Sequence, residues 1–244
     1  MKLFFTTYLF LFYVVVFAQN QLKIDYLVTY NRLSYIERDA TLFINKNISV
    51  FHEKMNTSKE IKKENIDDFI DDNTLKFDVK YNDKYYKYNS DTKEITFVDH
   101  IIMVGDFIVN DKPPIIDWQL ESETKIISNL KCYKATGIFR GRKWIAWYTS
   151  EIPFSVGPWK LNGLPGLILE AYDEDKKFSF IAKSIKYGIL DNLDIPINDL
   201  KKMNFKTFIE TKEELPHLKT DLNRDESVKV NFPRAEELKY EWEE

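Results

Sequence analysis

Basic and aromatic side chains gather near the middle of the 244-residue chain, and their types suit the binding of an anionic or apolar ligand. Two arginines, Arg140 and Arg142, lie close to three tryptophans, Trp144, Trp147 and Trp159. Guanidinium groups bind carboxylates and phosphates through paired hydrogen bonds, and aromatic rings add apolar area and cation–π contacts. These five residues are the candidate ligand-binding or partner-binding residues. The alternative interpretation is a solvated hairpin turn, whose arginines face water, beside tryptophans of the core.

Carboxylates flank the same stretch and are the candidate acid/base groups of a hydrolase. Glu151, Glu170 and Asp173 lie on either side of a loop rich in glycine and proline. Glycosidase chemistry needs two carboxylates held at a defined separation. Since the chain has 39 acidic residues, closeness in sequence is weak support for such a pair. We therefore expect a binding function rather than hydrolysis.

The residue patterns of other catalytic and metal sites are absent from the sequence. The three histidines, His52, His100 and His217, are isolated from one another, whereas a zinc site needs three or four ligands at workable spacing. The sequence contains no Gly-x-Ser-x-Gly elbow, phosphate-binding loop or dinucleotide fingerprint. We therefore predict no metal, no cofactor and no catalytic residue.

The composition excludes several other classes of protein. Lysine and arginine number 35 against 39 acidic residues, a net charge of −4, which does not indicate a nucleic-acid-binding protein. Hydrophobic residues make up 44% of the chain, too many for a disordered protein. Because Cys132 is the single cysteine, it has no partner for an internal disulfide. We expect it to be a small buried side chain rather than a reactive thiol.

Residues 1–18 have the order of a secretory signal peptide. Lys2 supplies a positive charge, an apolar run follows, and Val16 and Ala18 stand at the −3 and −1 positions of a cleavage site. The apolar run is shorter than the roughly 20 residues that span a bilayer. We expect cleavage before Gln19 and an exported mature chain in the periplasm or cell envelope, without a transmembrane helix. An uncleaved anchor is the alternative.

Alternating apolar and polar residues predict β-strands through most of the mature chain. Apolar residues recur at every second position from Leu22 to Tyr30, and Ile95 to Asp99 is a further short strand. Short polar turns predict antiparallel hairpins. The four predicted hairpins are 41–44 with 48–51, 75–81 with 85–89, 131–139 with 143–148, and 167–172 with 177–187.

Helical signals come late in the chain. Asn204 suits the N-cap of a helix that continues to about Leu215, where Pro216 ends it. Before it, residues 196–202 are expected to form a short helix or turn, and residues 235–244 to be weakly structured. The predicted fold is mainly β: a single twisted antiparallel sheet or open half-barrel with one or two C-terminal helices (α+β), forming one domain over residues 19–244.

A rigid loop is predicted between Glu151 and Glu170, where three of the seven glycines and three of the eight prolines fall. Pro165 and Gly166 suit the central positions of a type II turn, because proline fixes φ near −65° and glycine accepts the positive φ that follows. The loop either fixes a corner of the sheet and buries Trp159, or forms an aromatic binding loop. Its motif consists of Gly157, Pro158, Gly163, Leu164, Pro165, Gly166, Leu167 and Ile168.

A family resemblance rests on this loop and on the sequence before it. Residues 162–169 resemble the signature of the GLPGLI family of exported Bacteroidetes proteins. Further similar motifs are Cys132–Ala135, Phe139–Arg142, Trp144–Thr149, Glu151–Pro153 and Gly157–Trp159. The resemblance implies a Bacteroidetes source and an exported envelope protein, but no established activity. A weaker likeness of layout links the chain to periplasmic lipoprotein-carrier half-barrels.

Three functions fit these observations. The first is a non-catalytic binding or carrier protein of the envelope, whose apolar or peptide-like ligand lies against the aromatic sheet. A structure in which packed side chains close the inner face of the sheet, leaving no apolar cavity, would count decisively against this function. The second is an interaction partner of an outer-membrane transport or secretion complex, through Arg140, Arg142 and Trp159. The third is an unrecognised hydrolase.

Overall fold

The computed structural model describes residues 21–32, 35–55, 59–61, 83–101, 104–188, 200–214, 234 and 236–243. The predicted signal peptide, the predicted strand 75–81 and Pro216 lie outside these residues. The strands within the described part of the chain are β1 (Gln21–Asn31), β2 (Tyr35–Asn45), β3 (Ile48–Glu53), β4 (Lys59–Ile61), β5 (Lys84–Asn89), β6 (Glu94–Ile101), β7 (Gly105–Asp111), β8 (Gln119–Ile127), β9 (Leu130–Phe139), β10 (Arg142–Thr149), β11 (Leu167–Asp173), β12 (Phe178–Tyr187) and β13 (Lys201–Asn204), and the helix is α1 (Phe205–Glu213).

All of these strands belong to one open sheet. The strand order is β13-β7-β6-β5-β3-β2-β1-β12-β11-β10-β9-β8, and β4 pairs with β2. Neighbouring strands run antiparallel except β13 and β7, which are parallel. The sheet does not close into a barrel, and one helix lies near the C-terminal end of the described chain. The predicted mainly-β fold with an open, antiparallel-dominated sheet is therefore confirmed.

One face of this sheet carries the core. Along β1, Leu22, Ile24, Tyr26 and Val28 are buried and alternate with half-buried residues, as the pleat of a strand requires. Matching positions on the other strands extend this core face and make it strongly aromatic. Its largest fully buried aromatic side chains are Trp144, Tyr26, Phe51, Phe139, Phe178 and Phe180, and Phe208 of the helix is buried with them.

Three of the four predicted hairpins form with the expected partners, β2 with β3, β9 with β10, and β11 with β12. Positive φ values at Lys46, and at Arg140 and Gly141, supply the backbone that tight hairpin turns need. The predicted pairing of residues 85–89 with 75–81 is wrong, because β3 and β6 occupy the two edges of β5. The alternation identified the strand but carried no information about its neighbours.

The helix begins where the sequence predicted. The side chain of Asn204 accepts a hydrogen bond from the Thr207 N–H at 2.8 Å, the contact expected of an N-cap. Phe205, Phe208 and Ile209 are buried on one side of α1. Of the predicted helix or turn 196–202, residues 196–199 lie outside the described residues, and Lys201 and Lys202 instead belong to the strand β13 beside β7.

Residues 236–243, which we call the strap, also depart from expectation. The sequence predicted weak structure there, but the strap packs on the core and Tyr240 is 6% exposed. Arg234 connects it to α1, since the guanidinium pairs with both Glu243 and Glu213. A run of charged residues looks like a solvated tail in sequence, and only the tertiary structure provides the opposite charges that fix it.

The loop 150–166 reaches β11 through a turn that differs from the predicted type II. The Gly166 N–H donates to the Leu164 carbonyl at 2.8 Å, which closes a three-residue turn around Pro165. Gly166 has a φ of 153°. A Cβ atom there would lie 2.0 Å from the carbonyl oxygen of Thr149. Glycine is therefore required by the close approach of the backbone, in addition to its φ.

We expect Gly166→Ala to lower the free energy of unfolding by about 3 kcal/mol or more, because backbone strain and steric overlap add together. Gly188→Ala is the matched control: its φ is 148° and nothing lies within 4 Å of an added Cβ. Strain alone should cost about 1 kcal/mol at Gly188. Urea unfolding of the two variants measures the difference, and equal losses would contradict the role of the Thr149 contact.

Candidate functional site

The candidate site is a buried charge cluster that joins distant parts of the sheet. Asp111 ends β7, near one end of the strand order, and Arg140 lies in the turn between β9 and β10, near the other end. The Arg140 guanidinium donates two hydrogen bonds to the Asp111 carboxylate, at 2.8 and 2.7 Å. Both side chains are 1% exposed. This bidentate pair therefore fixes how β7 approaches the β9–β10 hairpin.

Lys160 is the second cation of the cluster, and the loop 150–166 delivers it. Its Nζ donates to Asp111 Oδ2 at 2.9 Å, and the Lys160 side chain is 2% exposed. Burial by itself would raise the pKa of Asp111. The charges and hydrogen bonds of Lys160 and Arg140 outweigh that effect and hold the pKa of the carboxyl below its ordinary value. Asp111 is thus ionised between two cations.

The strap adds two further carboxylates to the cluster. Glu237 accepts from Arg140 Nη1 at 2.6 Å and from Lys160 Nζ at 3.0 Å. Glu241 accepts from Arg140 Nε at 2.8 Å. The Glu237 side chain is 11% exposed and that of Glu241 is 39% exposed. Glu237 is therefore an integral part of the buried cluster, whereas Glu241 lies at its rim.

Aromatic rings surround both cations. The guanidinium carbon of Arg140 lies 4.2 Å from the ring centroid of Phe205. Lys160 Nζ lies 4.4 Å from the ring centroid of Phe97 and 4.5 Å from that of Phe205. Cation–π attraction of this kind offsets part of the cost of removing the cations from water.

The main chain of the strap is also bound. The N–H groups of Leu238 and Lys239 donate to the Arg140 carbonyl at 2.8 and 2.9 Å. Arg142 Nε donates to the Glu236 carbonyl at 3.1 Å. These contacts, together with the carboxylates, hold the strap as a binding protein would hold a peptide.

Aromatic contacts complete the attachment of the strap. The Tyr240 ring meets Phe205 edge to face with centroids 5.5 Å apart, and Trp242 stacks on Tyr240 at 5.0 Å. Aromatic pairs of this geometry contribute beyond the area that they bury. The strap is thus recognised through its charge, its main chain and its aromatic rings.

The two candidate arginines are buried. The alternative interpretation, a hairpin turn whose arginines face water, is therefore wrong. Arg140 is 5% exposed and Arg142 is 7% exposed. Arg142 Nη1 donates to Asp173 Oδ2 at 2.6 Å, and Asp173 Oδ1 accepts from the Phe178 N–H at 2.7 Å. Arg142 therefore connects β10, β11 and β12 to the strap.

The three predicted tryptophans are buried, but they do not form one group. The rings of Trp144 and Trp159 lie 5.6 Å apart in the core, next to the charge cluster. Trp147 lies on the other face of β10, where Lys125 Nζ stands 4.2 Å from its ring centroid. The structure thus brings Trp144 and Trp159 together, places Trp159 beside Lys160 of the charge cluster that contains Arg140, and places Trp147 elsewhere.

The glycine-rich motif packs into a corner beside β11. A Cβ on Gly157 would lie 2.7 Å from Cβ of Ile168, so only glycine allows this approach. Leu164, Leu167 and Ile168 are buried. The loop thereby buries Trp159 and positions Lys160. Pro158 and Leu161 close a tight turn around these two residues.

The predicted acid/base carboxylates have separate partners. Glu151 accepts from the Lys131 N–H at 2.9 Å, and Glu170 pairs with Lys125 at 2.8 Å. Asp173 is engaged by Arg142, and it lies three residues after Glu170 on the same strand, so the two side chains point to opposite faces. The described contacts do not assemble a pair of carboxylates around a common space.

The described histidines pair with individual aspartates. His52 lies 2.8 Å from Asp83, and His100 lies 2.8 Å from Asp106; His217 lies outside the described residues. Among the residues that the structure covers, no group of three or more potential ligands is arranged for a metal ion. Cys132 is buried as predicted, and burial raises the pKa of its thiol to about 11.

A small cavity adjoins the charge cluster on the core face. It lies between β2, β3, β5 and β6 and residues 156–162 of the loop, and Trp159 and Lys160 are part of its lining. The cavity volume is about 10 Å³, which is space for about one water molecule. This cavity does not admit an apolar chain. The described part of the structure also has no helix that is long and apolar enough to span a bilayer.

Sequence reasoning missed four residues of the cluster: Asp111, Lys160, Glu237 and Glu241. It also missed a second buried ionic group, in which Glu53 accepts from Arg38 at 2.8 Å and from the Tyr30 hydroxyl at 2.7 Å. Each of these charges is far in sequence from its partners. In sequence, such residues look like charged residues at a strand end or beside aromatic residues. Because many exposed charges have the same neighbours, this pattern does not identify the buried ones.

The fold and the site define a protein with a single open β-sheet, whose core face carries a buried cluster of ion pairs. Residues 139–170 match the model of a family described as a protein of unknown function (Porph_ging), which is associated with Bacteroidetes. The match includes Arg140, Arg142, Lys160 and the glycine-rich motif. It does not confirm the GLPGLI name. No curated protein matches the chain.

Solved structures resemble the fold at low sequence identity. PNGF-II in its P21 crystal form has a TM-score of 0.53 and 15% identity, over 80% of this chain and 33% of that chain. The chain therefore spans about a third of the length of PNGF-II. An uncharacterized conserved protein from Thermus thermophilus has a TM-score of 0.39 and 11% identity, over 82% of this chain and 99% of that chain. At these identities, the PNGF-II likeness shows the fold alone.

We expect Arg140→Met to lower the free energy of unfolding by about 3–5 kcal/mol, because it leaves buried carboxylates without their main partner. Lys177→Met is the control: Lys177 pairs with Asp175, and the two side chains are 49% and 61% exposed. An exposed pair contributes about 0–1 kcal/mol. Urea unfolding measures the free energy of unfolding of both variants. A decrease for the Arg140 variant no larger than that for the Lys177 variant would contradict a stabilising role of the cluster.

Proposed function

We propose that this protein is an exported, non-catalytic binding protein of the cell envelope, and that its ligand is an acidic, peptide-like segment bound at Arg140 and Lys160. The observation that supports the proposal is the strap. Its carboxylates, main chain and aromatic rings are held by the side chains that would recognise a peptide from another molecule.

The charge balance of the site favours an anionic ligand. Without the strap, the described cluster has two cations, Arg140 and Lys160, and one carboxylate, Asp111. A ligand that replaces the strap would again remove these cations from water and would have to supply a partner of opposite charge. A ligand for this surface must therefore supply at least one carboxylate.

The shape of the site favours a peptide over an apolar molecule. The neighbouring cavity of about 10 Å³ is too small for a lipid chain. The ring of Phe205 instead receives Tyr240 and Trp242 of the strap beside the two cations, an arrangement that suits an aromatic side chain next to a carboxylate. A segment of another envelope protein has this chemistry, for example one in an outer-membrane transport or secretion complex.

Export is the first part of the proposal, and the order of residues 1–18 supports it. Protein isolated from the envelope of the native cell should begin at Gln19, because cleavage is expected after Ala18. N-terminal sequencing and intact mass measure this directly. A chain that still begins at Met1 would contradict cleavage and would favour the uncleaved anchor.

Peptide binding is the second part. A blocked synthetic peptide with the sequence of residues 236–243 should bind the full protein saturably, with an apparent Kd of about 1 mM or above, as followed by calorimetry. Replacing the glutamates that correspond to 237 and 241 by glutamine should abolish this binding, since the cations lose their counter-charges.

Variants locate the binding to the site. Lys160→Gln should weaken the affinity for the acidic peptide about tenfold or more, and Lys177→Gln, an exposed control, should leave it unchanged. Equal binding of the acidic peptide and its doubly substituted form to the wild type would refute recognition by charge.

A further inference from the structure

We infer that the strap is a built-in competitor that occupies the site and is displaced by acidic peptide ligands. The inference rests on the proposed function and adds its regulation. The strap covers Arg140 and Lys160, and it contributes both Glu237 and Glu241 to them. A ligand can reach the two cations only when these carboxylates leave.

The strap can leave without breaking the sheet. Residues 236–243 belong to no strand or helix. Their described main-chain contacts with the site are two N–H bonds to the Arg140 carbonyl and one bond from Arg142 Nε. Segments with few backbone hydrogen bonds to the rest of the structure open locally at low cost.

The outer contacts of the strap are partly exposed to water. Leu238 is 41% exposed, and the Glu241 side chain is 39% exposed. Arg234, which pairs with Glu243, is 28% exposed at its side chain. Partly exposed ion pairs contribute little stability. The strap is therefore held mainly at Glu237 and Tyr240.

The buried cations make the exchange selective. If the strap opened without a replacement, Arg140 and Lys160 would share the single carboxylate of Asp111. In that state the two cations exceed the charge of Asp111 by one, so the open site favours an anionic replacement. A peptide without a carboxylate cannot supply this charge, whereas a carboxylate next to an aromatic ring reproduces the contacts of Glu237 and Tyr240.

Tethering gives the strap an advantage over a free peptide. A segment connected to its own site acts at an effective concentration in the millimolar range. The apparent affinity for an external ligand is reduced by the fraction of molecules in which the strap is closed. Weakening the strap should therefore strengthen ligand binding, which is the opposite of what loss of a binding residue would do.

The first test compares the full protein with its Glu237→Gln/Glu241→Gln variant. The probe is the blocked acidic peptide with the sequence of residues 236–243. The variant should bind it about tenfold more tightly or better than the wild type, because the competitor has lost its charges. Glu210→Gln, on the exposed surface of α1 where Glu210 pairs with Lys206, is the control and should bind like the wild type.

The second test uses the wild type alone, so it does not depend on the folding of a variant. Hydrogen exchange of the Leu238 and Lys239 amides, which donate to Arg140 in the closed state, should accelerate when the peptide is added to saturation. The doubly substituted peptide, which lacks the glutamates of 237 and 241, should leave their exchange unchanged.

The outcomes separate the two proposals. Peptide that binds at Lys160 while both strap amides stay protected would overturn displacement and leave the binding function intact. A variant whose strap amides exchange rapidly, but which binds no acidic peptide, would overturn the binding function and with it the inference. Tighter binding by the variant, together with faster strap exchange in the wild type, supports both.

Discussion

The buried pair of Arg140 and Asp111 is the constraint on which the rest of the structure depends. Two charges that are 1% exposed must match each other closely, since a buried charge without a partner costs several kcal/mol. The pair connects β7 with the β9–β10 turn, which lie near opposite ends of the strand order. An open sheet has no hydrogen-bonded closure of its own, and this contact joins its distant parts through side chains.

The same constraint explains why the loop and the strap are ordered. Lys160 shares the Asp111 carboxylate, so the loop 150–166 must reach β7. The two cations then exceed the charge of Asp111, and the strap supplies the missing carboxylates. The glycine-rich motif positions the loop that carries Lys160. Gly157 and Gly166 allow this, because their backbones approach neighbouring residues more closely than a Cβ would permit. A motif that looks like a turn signature in sequence thus supports an electrostatic site.

The site and the fold differ in how far they could be predicted. Arg140, Trp144 and Trp159 were identified as candidates because they are close in sequence; Trp144 and Trp159 do meet in space, and Arg140 is buried in the adjoining charge cluster. Their partners could not be found in the same way, since Asp111 and Glu237 lie 29 and 97 residues from Arg140. Trp147 shows the limit of local reasoning, because it is three residues from Trp144 and therefore on the other face of the strand.

The sequence by itself determined nine of the thirteen described strands, three of their hairpins and the start of the helix, because alternation, short turns and the Asn204 cap act between residues that are close in the chain. It did not predict β4, β7, β8 or β13. Only the tertiary structure decided the neighbours of β5, the turn at Pro165 and the place of the strap. It also decided that the arginines are buried. Ion pairing and close packing depend on how near two residues lie in space when they are far apart along the chain. A local sequence pattern does not specify those spatial distances.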